Sequence, residues 1–220
     1  MKLLLNGGGS DEQLTITLTK LNDIIDHNKP LLYIPLAMDE NEHPYDGCYE
    51  WFSGQTQNIS VPSIDMARSF KELASKNLYE YSAIFIGGGN TYKLLKGLKE
   101  SGAFSKIQDY IQNDGIVVGC SAGAVICGKD IDIITSMDPN DVNLTDTEGF
   151  DVLSGISIFP HYINLPHQVY LLIFFHLLIF LVLLFLQYDQ HGNELRKYIL
   201  ILLLIYLIFL LFFRVHHLDL

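Results

Sequence analysis

Short apolar runs alternate with segments of helical spacing through the first three quarters of the chain. Apolar runs of strand length lie at residues 2–5, 31–35, 82–86, 116–118 and 156–159. Apolar residues at helical spacing predict helices over 15–26, 63–76, 91–98 and 104–112, and from residue 121 onward. Strand, glycine turn and helix in repeated order predict an α/β fold with a doubly wound, mostly parallel sheet.

Two glycine turns, at residues 87–89 and 119–123, directly follow predicted strands. The carboxyl ends of parallel strands lie along one edge of the sheet, where ligands of such folds bind. We therefore expect both turns to contribute to one site.

Residues 119–123 match the pattern G-x-S-x-G without a mismatch, between an apolar strand and a helix rich in small residues. Such a nucleophile elbow would expose the hydroxyl of Ser121, with the Ala122 N–H as one oxyanion donor. The alternative is a plain βα turn of small residues. Cys120 is a rival nucleophile that lies one position too early, and Cys127 is expected to be a core residue.

The other turn, Gly87-Gly88-Gly89, opens a helix at Asn90-Thr91. It fits neither the phosphate loop nor the dinucleotide fingerprint. A second oxyanion donor from Gly88 or Gly89 fits better, and a helix N-cap by Asn90 or Thr91 is compatible with that role.

A serine nucleophile requires a general base, usually histidine, and an acid that orients it. Three histidines precede the tail; His27 and His43 lie in polar turns, whereas His161 follows the apolar run 156–159. His161 is therefore the expected base, at the end of a predicted strand. The residues alone leave the acid open among Asp130, Asp132, Asp138, Asp141, Asp146, Glu148 and Asp151.

Four segments, at residues 86–91, 119–124, 147–151 and 160–162, together resemble the peptidase E family of serine peptidases, the aspartyl dipeptidase group related to cyanophycinase. The resemblance covers roughly residues 1–164. It implies a triad of Ser121, His161 and Asp138. Asp146 and Glu148, from the same acid-rich segment, are kept as reserves for the acid. It also implies no metal, no cofactor, and cytoplasmic cleavage of short peptides that begin with Asp. Ile163 departs from the family, which usually has Thr there.

Charge and cysteine content narrow the class of partner. The formal charge of −11 falls entirely on residues 1–164, which argues against a nucleic-acid partner. An odd count of three cysteines favours a reducing compartment, and the first apolar run is too short for a signal peptide. Residues 1–164 are thus expected in the cytoplasm. Whether they form a homo-oligomer stays an open question.

Residues 165–220 form an anomalous apolar tail, separate from the hydrolytic domain predicted over 1–164. Its apolar runs at 169–186 and 198–213 would suit a membrane hairpin. The abrupt change and the lack of Ala, Ser and Thr favour a shift of reading frame instead.

Two other functions stay possible besides a peptidase. The same elbow would serve an amidase or acyl transferase, and an incomplete domain would be an inactive remnant of the enzyme.

Overall fold

The computed structural model describes residues 2–8 and 11–160 of the chain, all within the unit Met1–Tyr162. Five strands form one sheet in the order β1-β5-β4-β2-β3, and each neighbouring pair is parallel. The strands are β1 (Lys2–Asn6), β2 (Leu31–Ile34), β3 (Ile64–Met66), β4 (Ala83–Ile86) and β5 (Ile116–Cys120). The predicted α/β class with a parallel sheet is confirmed.

Six α-helices surround the sheet in the described part of the chain. They are α1 (Asp11–Asn22), α2 (Tyr45–Gln55), α3 (Phe70–Ser75), α4 (Thr91–Ser101), α5 (Ala103–Gln112) and α6 (Ala122–Val125). Helix α1 contacts α2, while α4 contacts α3, α5 and α6. Because parallel crossovers are right-handed, the strand order sends these two groups of helices to opposite faces of the sheet.

Central strands β2 and β4 are buried along their whole length, as expected for strands covered on both faces. Three rings fix α2 to them: the ring of Phe52 lies 4.3 Å from that of Tyr33 and 4.6 Å from that of Phe85, between centroids. This aromatic packing fixes α2 on β2 and β4, which pair in parallel and whose carboxyl ends carry loops of the candidate site.

The continuous helix predicted over 63–76 is wrong. The structure divides this segment into β3, which pairs with β2, and the short helix α3. Ser69 ends the extended part because its Oγ accepts a hydrogen bond from the Glu72 N–H at 3.1 Å. The Glu72 carboxylate accepts one from the N–H of Arg68, one residue before the cap, at 2.9 Å, so both side chains fix the backbone where the helix begins.

The strand predicted over 156–159 is also wrong, because these residues adopt no regular structure. The carbonyl of Ile156 accepts a hydrogen bond from the Lys129 N–H, and the hydroxyl of Ser157 accepts one from the Asp130 N–H. The second of these bonds uses a side chain, so no ladder of backbone bonds forms. His161 was assigned to the end of a strand, and that strand does not exist.

Within residues 2–8 and 11–160, no helix is long and apolar enough to cross a bilayer. The predicted hairpin runs at 169–186 and 198–213 lie outside the described residues.

Candidate active site

Ser121 joins β5 to α6 in a strained conformation, with φ 50° and ψ −114°. A left-handed φ is unfavourable for a residue with a side chain and costs about 1–3 kcal/mol. Backbone hydrogen bonds on both sides hold it there. The Ser121 N–H donates to the carbonyl of Asn6 at 2.9 Å, and the Ser121 carbonyl accepts from the Ala124 N–H at 2.8 Å. The geometry is that of a serine elbow between a strand and a helix.

The two glycines of the elbow are required by close packing. A Cβ built on Gly119 would lie under 3.0 Å from the backbone of Gly123, and one built on Gly123 would lie equally close to the carbonyl of Ile86. Helix α6 can therefore approach β4 and β5 only with glycine at both positions. This contact sets the start of α6 directly beside the end of β4.

The turn after β4 is anchored at its two ends. The Gly87 N–H donates to the carbonyl of Ile34, and the Asn90 N–H donates to the carbonyl of Ala37, each at 2.9 Å. Within residues 2–8 and 11–160, the N–H groups of Gly88 and Gly89 donate no hydrogen bond. Two amides are thus held in place with their donors available at the carboxyl edge of the sheet.

The glycine turn and the elbow meet at Ser121. A Cβ built on Gly88 would lie 3.1 Å from the Cβ of Ser121 and 3.6 Å from its Oγ. Ser121 itself is half-buried. The expectation that both turns contribute to one place on the sheet edge agrees with this contact.

Asp138 is held at the same edge by the start of α4. Its Oδ2 accepts hydrogen bonds from the N–H of Thr91 at 2.8 Å and from the hydroxyl of Thr91 at 2.6 Å. The adjacent Pro139 carbonyl accepts one from the side-chain amide of Asn90 at 2.9 Å. Asn90 also caps α4, since its Oδ1 accepts from the Lys93 N–H at 2.8 Å. The segment bearing Asp138 is therefore fixed to the end of the glycine turn.

The reserve acids lie elsewhere. Asp146 forms an ion pair with Lys99, 2.7 Å between Oδ1 and Nζ, and this hydrogen bond lowers the pKa of Asp146 below its ordinary 3.8. Lys99 lies eight residues after Thr91, which places it about 12 Å further along the helix. Glu148 is exposed and follows Asp146 in the same surface loop. Of the three candidate acids, Asp138 is the one that the structure brings to the glycine turn.

The described histidines occupy two different places. His27 is exposed just before β2, at the amino edge of the sheet, where its Nδ1 lies 2.7 Å from the carbonyl oxygen of Ser60. His43 is exposed in the loop between β2 and α2. The predicted base, His161, lies outside the described residues, which end at Pro160.

Neither cysteine near the elbow resembles an activated thiol. Burial raises the pKa of Cys120, whose Sγ lies 4.0 Å from the Oδ1 of Asn6. Cys127 is fully buried, and burial raises its pKa to about 12. The assignment of Cys127 to the core is confirmed. Within the described part of the chain, no group of three or more His, Cys, Asp or Glu residues could hold a metal ion.

Asn6 is a site residue that the sequence analysis did not identify. Its carbonyl accepts the Ser121 N–H, its Oδ1 accepts the Gly8 N–H at 2.8 Å, and its side-chain amide donates to the hydroxyl of Thr17 at 3.0 Å. The run Asn6-Gly7-Gly8 at the end of the first strand was the available signal, because all strand ends share this edge.

A parallel sheet with a strained serine elbow at its carboxyl edge is the arrangement typical of α/β enzymes that use a serine nucleophile. The profile of Peptidase family S51 matches residues 3–177, and the chain belongs to that family. Membership supports a peptidase of the serine type.

Several curated relatives carry peptidase names. Peptidase E of Pasteurella multocida (strain Pm70) is 36% identical over 112 residues, which cover 51% of this chain and 42% of the relative. An uncharacterized peptidase of Listeria monocytogenes is 36% identical over 117 residues, which cover 52% of this chain and 56% of that relative. The chain thus spans about half the length of these relatives.

Solved structures share the fold. A solved structure from Listeria monocytogenes EGD-e is described as a peptidase E protein. It superposes with a TM-score of 0.61 at 27% identity, over 76% of this chain and 82% of that one. A peptidase from an acI-B1 Actinobacterium gives a TM-score of 0.55 at 20% identity, over 73% and 68%. The second likeness concerns the fold alone.

Proposed function

We propose that this chain hydrolyses short peptides, among them dipeptides with an N-terminal Asp, with Ser121 as the nucleophile. One observation carries the proposal: Ser121 has the strained backbone of a nucleophile elbow and lies against Gly88, beside two amides with available donors. The preference for Asp rests on the resemblance to the aspartyl dipeptidase group and not on any described contact.

The proposed reaction proceeds through an acyl-enzyme. The Oγ of Ser121 attacks the peptide carbonyl carbon while His161 takes the hydroxyl proton. The oxyanion accepts hydrogen bonds from the Ala122 N–H and from that of Gly88 or Gly89. His161 then donates the proton to the leaving amine, and a water molecule, activated by His161, releases the acid and regenerates the serine.

Asp138 is the proposed acid that orients His161. Its Oδ2 is occupied by the two hydrogen bonds from Thr91, which fix the plane of the carboxylate. Within residues 2–8 and 11–160, Oδ1 accepts no hydrogen bond, so it is available to an imidazole N–H.

The test uses the full chain and a panel of matched dipeptides: Asp-Leu, Asn-Leu, Glu-Leu and N-acetyl-Asp-Leu. We expect release of leucine from Asp-Leu to exceed the others, and Ser121→Ala to lower kcat by about three orders of magnitude or more. Equal rates for the wild-type chain and Ser121→Ala would contradict the nucleophile. Activity without a preference for Asp would contradict the proposed substrate preference but not the role of Ser121 as nucleophile. Formation of new amides with added amines would indicate acyl transfer instead of hydrolysis.

A further inference from the structure

Three hydrogen bonds connect Asn90 and Thr91, at the start of α4, to Asp138 and Pro139, and so join two parts of the candidate site. We call this connection the strap. We propose that Thr91 is a positioning residue of the peptidase: its buried hydroxyl fixes the Asp138 carboxylate and so couples the acid to the glycine turn. This inference rests on the proposed function, since it assigns a role within the same site.

Thr91, the first residue of α4, directs both of its hydrogen-bond donors to a single acceptor. It is 1% exposed, and its hydroxyl and its N–H both donate to the same oxygen of Asp138, at 2.6 and 2.8 Å. The cap of the helix comes from Asn90 instead, through the Lys93 N–H. The hydroxyl of Thr91 is thus not needed to start α4, and its described partner is the carboxylate.

A second bond makes the connection rigid. The side-chain amide of Asn90 donates to the carbonyl of Pro139, one residue beyond Asp138. Asn90 in turn follows Gly88 and Gly89, and its own N–H is bound to the loop after β2. Two adjacent residues at the end of the glycine turn therefore hold two adjacent residues of the acid segment.

This arrangement has a consequence for catalysis. Displacement of the Asp138 carboxylate would misorient His161. The oxyanion donors of the glycine turn would shift as well, because that turn ends at Asn90, which is part of the strap. Small displacements of catalytic groups are costly, about a hundredfold in rate for 1 Å. The effect should fall on kcat, because the groups concerned act in the transition state and not in ground-state binding.

The experiment compares Thr91→Val, which keeps the shape and the N–H bond but removes the hydroxyl, with Thr91→Ser, which keeps the hydroxyl. Thr56→Val is the matched control. Thr56 is 3% exposed and its hydroxyl donates to the carbonyl of Phe52 at 2.8 Å, at the end of α2. Each full-length variant is measured for kcat and KM on Asp-Leu, for the rate of phosphonate labelling, and for thermal unfolding.

We expect Thr91→Val to lower kcat by about 10- to 100-fold, the range for a hydrogen bond to a charged group, with KM changed by about threefold or less. Labelling should slow in parallel, and Thr91→Ser should restore both rates to within about threefold. Thr56→Val should lower the unfolding temperature without lowering kcat.

Unchanged kcat in Thr91→Val, or the same loss in Thr56→Val, would overturn the positioning role. If Thr91→Val does not fold, Thr91→Ala supplies the test: it also removes the hydroxyl and keeps the N–H bond to Asp138, and it should lower kcat with little change in KM. A wild-type rate for that variant would also overturn the inference. Activity that survives Ser121→Ala would instead contradict the proposed function itself.

Discussion

The contact between Gly88 and Ser121 predicts that one added methyl group will impair catalysis without unfolding the protein. In Gly88→Ala the new Cβ would lie 3.1 Å from the Ser121 Cβ and 3.6 Å from its Oγ. The first distance requires a shift of a few tenths of an ångström. The backbone of Gly88 has no positive φ, so alanine is compatible with its conformation. Overpacking of this kind costs about 1–3 kcal/mol of stability.

The loss of activity should be larger than this stability cost suggests. The methyl group would enter the space between the turn and the hydroxyl, where the substrate carbonyl must approach both the Oγ and an oxyanion donor. We expect kcat/KM on Asp-Leu to fall by about 10² to 10³, or about 2.7–4 kcal/mol in transition-state free energy. Gly54→Ala is the control, because its Cβ would meet nothing within 4 Å. A kcat/KM for folded Gly88→Ala within about twofold of wild type would refute this account of the site.

Three further predictions concern packing, the thiol and pH. Gly123→Ala should destabilise the protein by about 3 kcal/mol or more, measured by urea unfolding, because its Cβ overlaps a β4 carbonyl and cannot be accommodated by a side-chain movement. Cys120→Ala should retain activity on Asp-Leu, because burial raises the pKa of this thiol; loss comparable to that of Ser121→Ala would contradict the assignment. Burial alone would raise the pKa of Asp65, but hydrogen bonds from Lys76 and Tyr81 outweigh it and hold the pKa below 3.8. Since the folded-state pKa is depressed, its contribution to stability is present above pH 3.8 and is lost as the pH falls through the folded-state pKa. Asp65→Asn should therefore destabilise at pH 7 and converge with wild type in acid; an equal difference at both pH values would contradict this.

Several elements were predictable because local signals and tertiary packing agree. Strands β2, β4 and β5 follow from apolar runs that end in turn residues, and α4 and α5 follow from helical spacing. The elbow and the glycine turn were found as sequence patterns, and parallel topology alone places both at one edge. Gly88 against Ser121 is the structural expression of that topology.

Other elements were missed although the sequence contained a signal. Helix α2 has apolar residues at Tyr45, Cys48, Tyr49 and Phe52, the spacing of one helix face, but Gly47 and Gly54 obscure it. In the segment 63–76, three residues of strand precede the helix, and helical spacing continues across the boundary. The pattern Ser-x-x-Glu at residues 69–72 marks the true start of α3.

The pairing of Thr91 with Asp138 could not be predicted from sequence. The two residues are separated by 47 positions, and the choice among seven acids between Ser121 and His161 depends on where a loop without regular structure returns to the sheet. Resemblance suggested Asp138, and the structure brings it to the start of α4. The strand expected before His161 fails because its partner segment is also irregular, so apolar alternation alone did not suffice.

Identification of the residue that carries a covalent adduct shows whether Ser121 is the nucleophile. The full chain is treated with a serine-reactive fluorophosphonate and digested, and the modified peptide is sequenced by mass spectrometry, beside Ser121→Ala. We expect one adduct on Ser121 and none in the variant. An adduct on Cys120 or on another residue, or equal labelling of the two proteins, would contradict it.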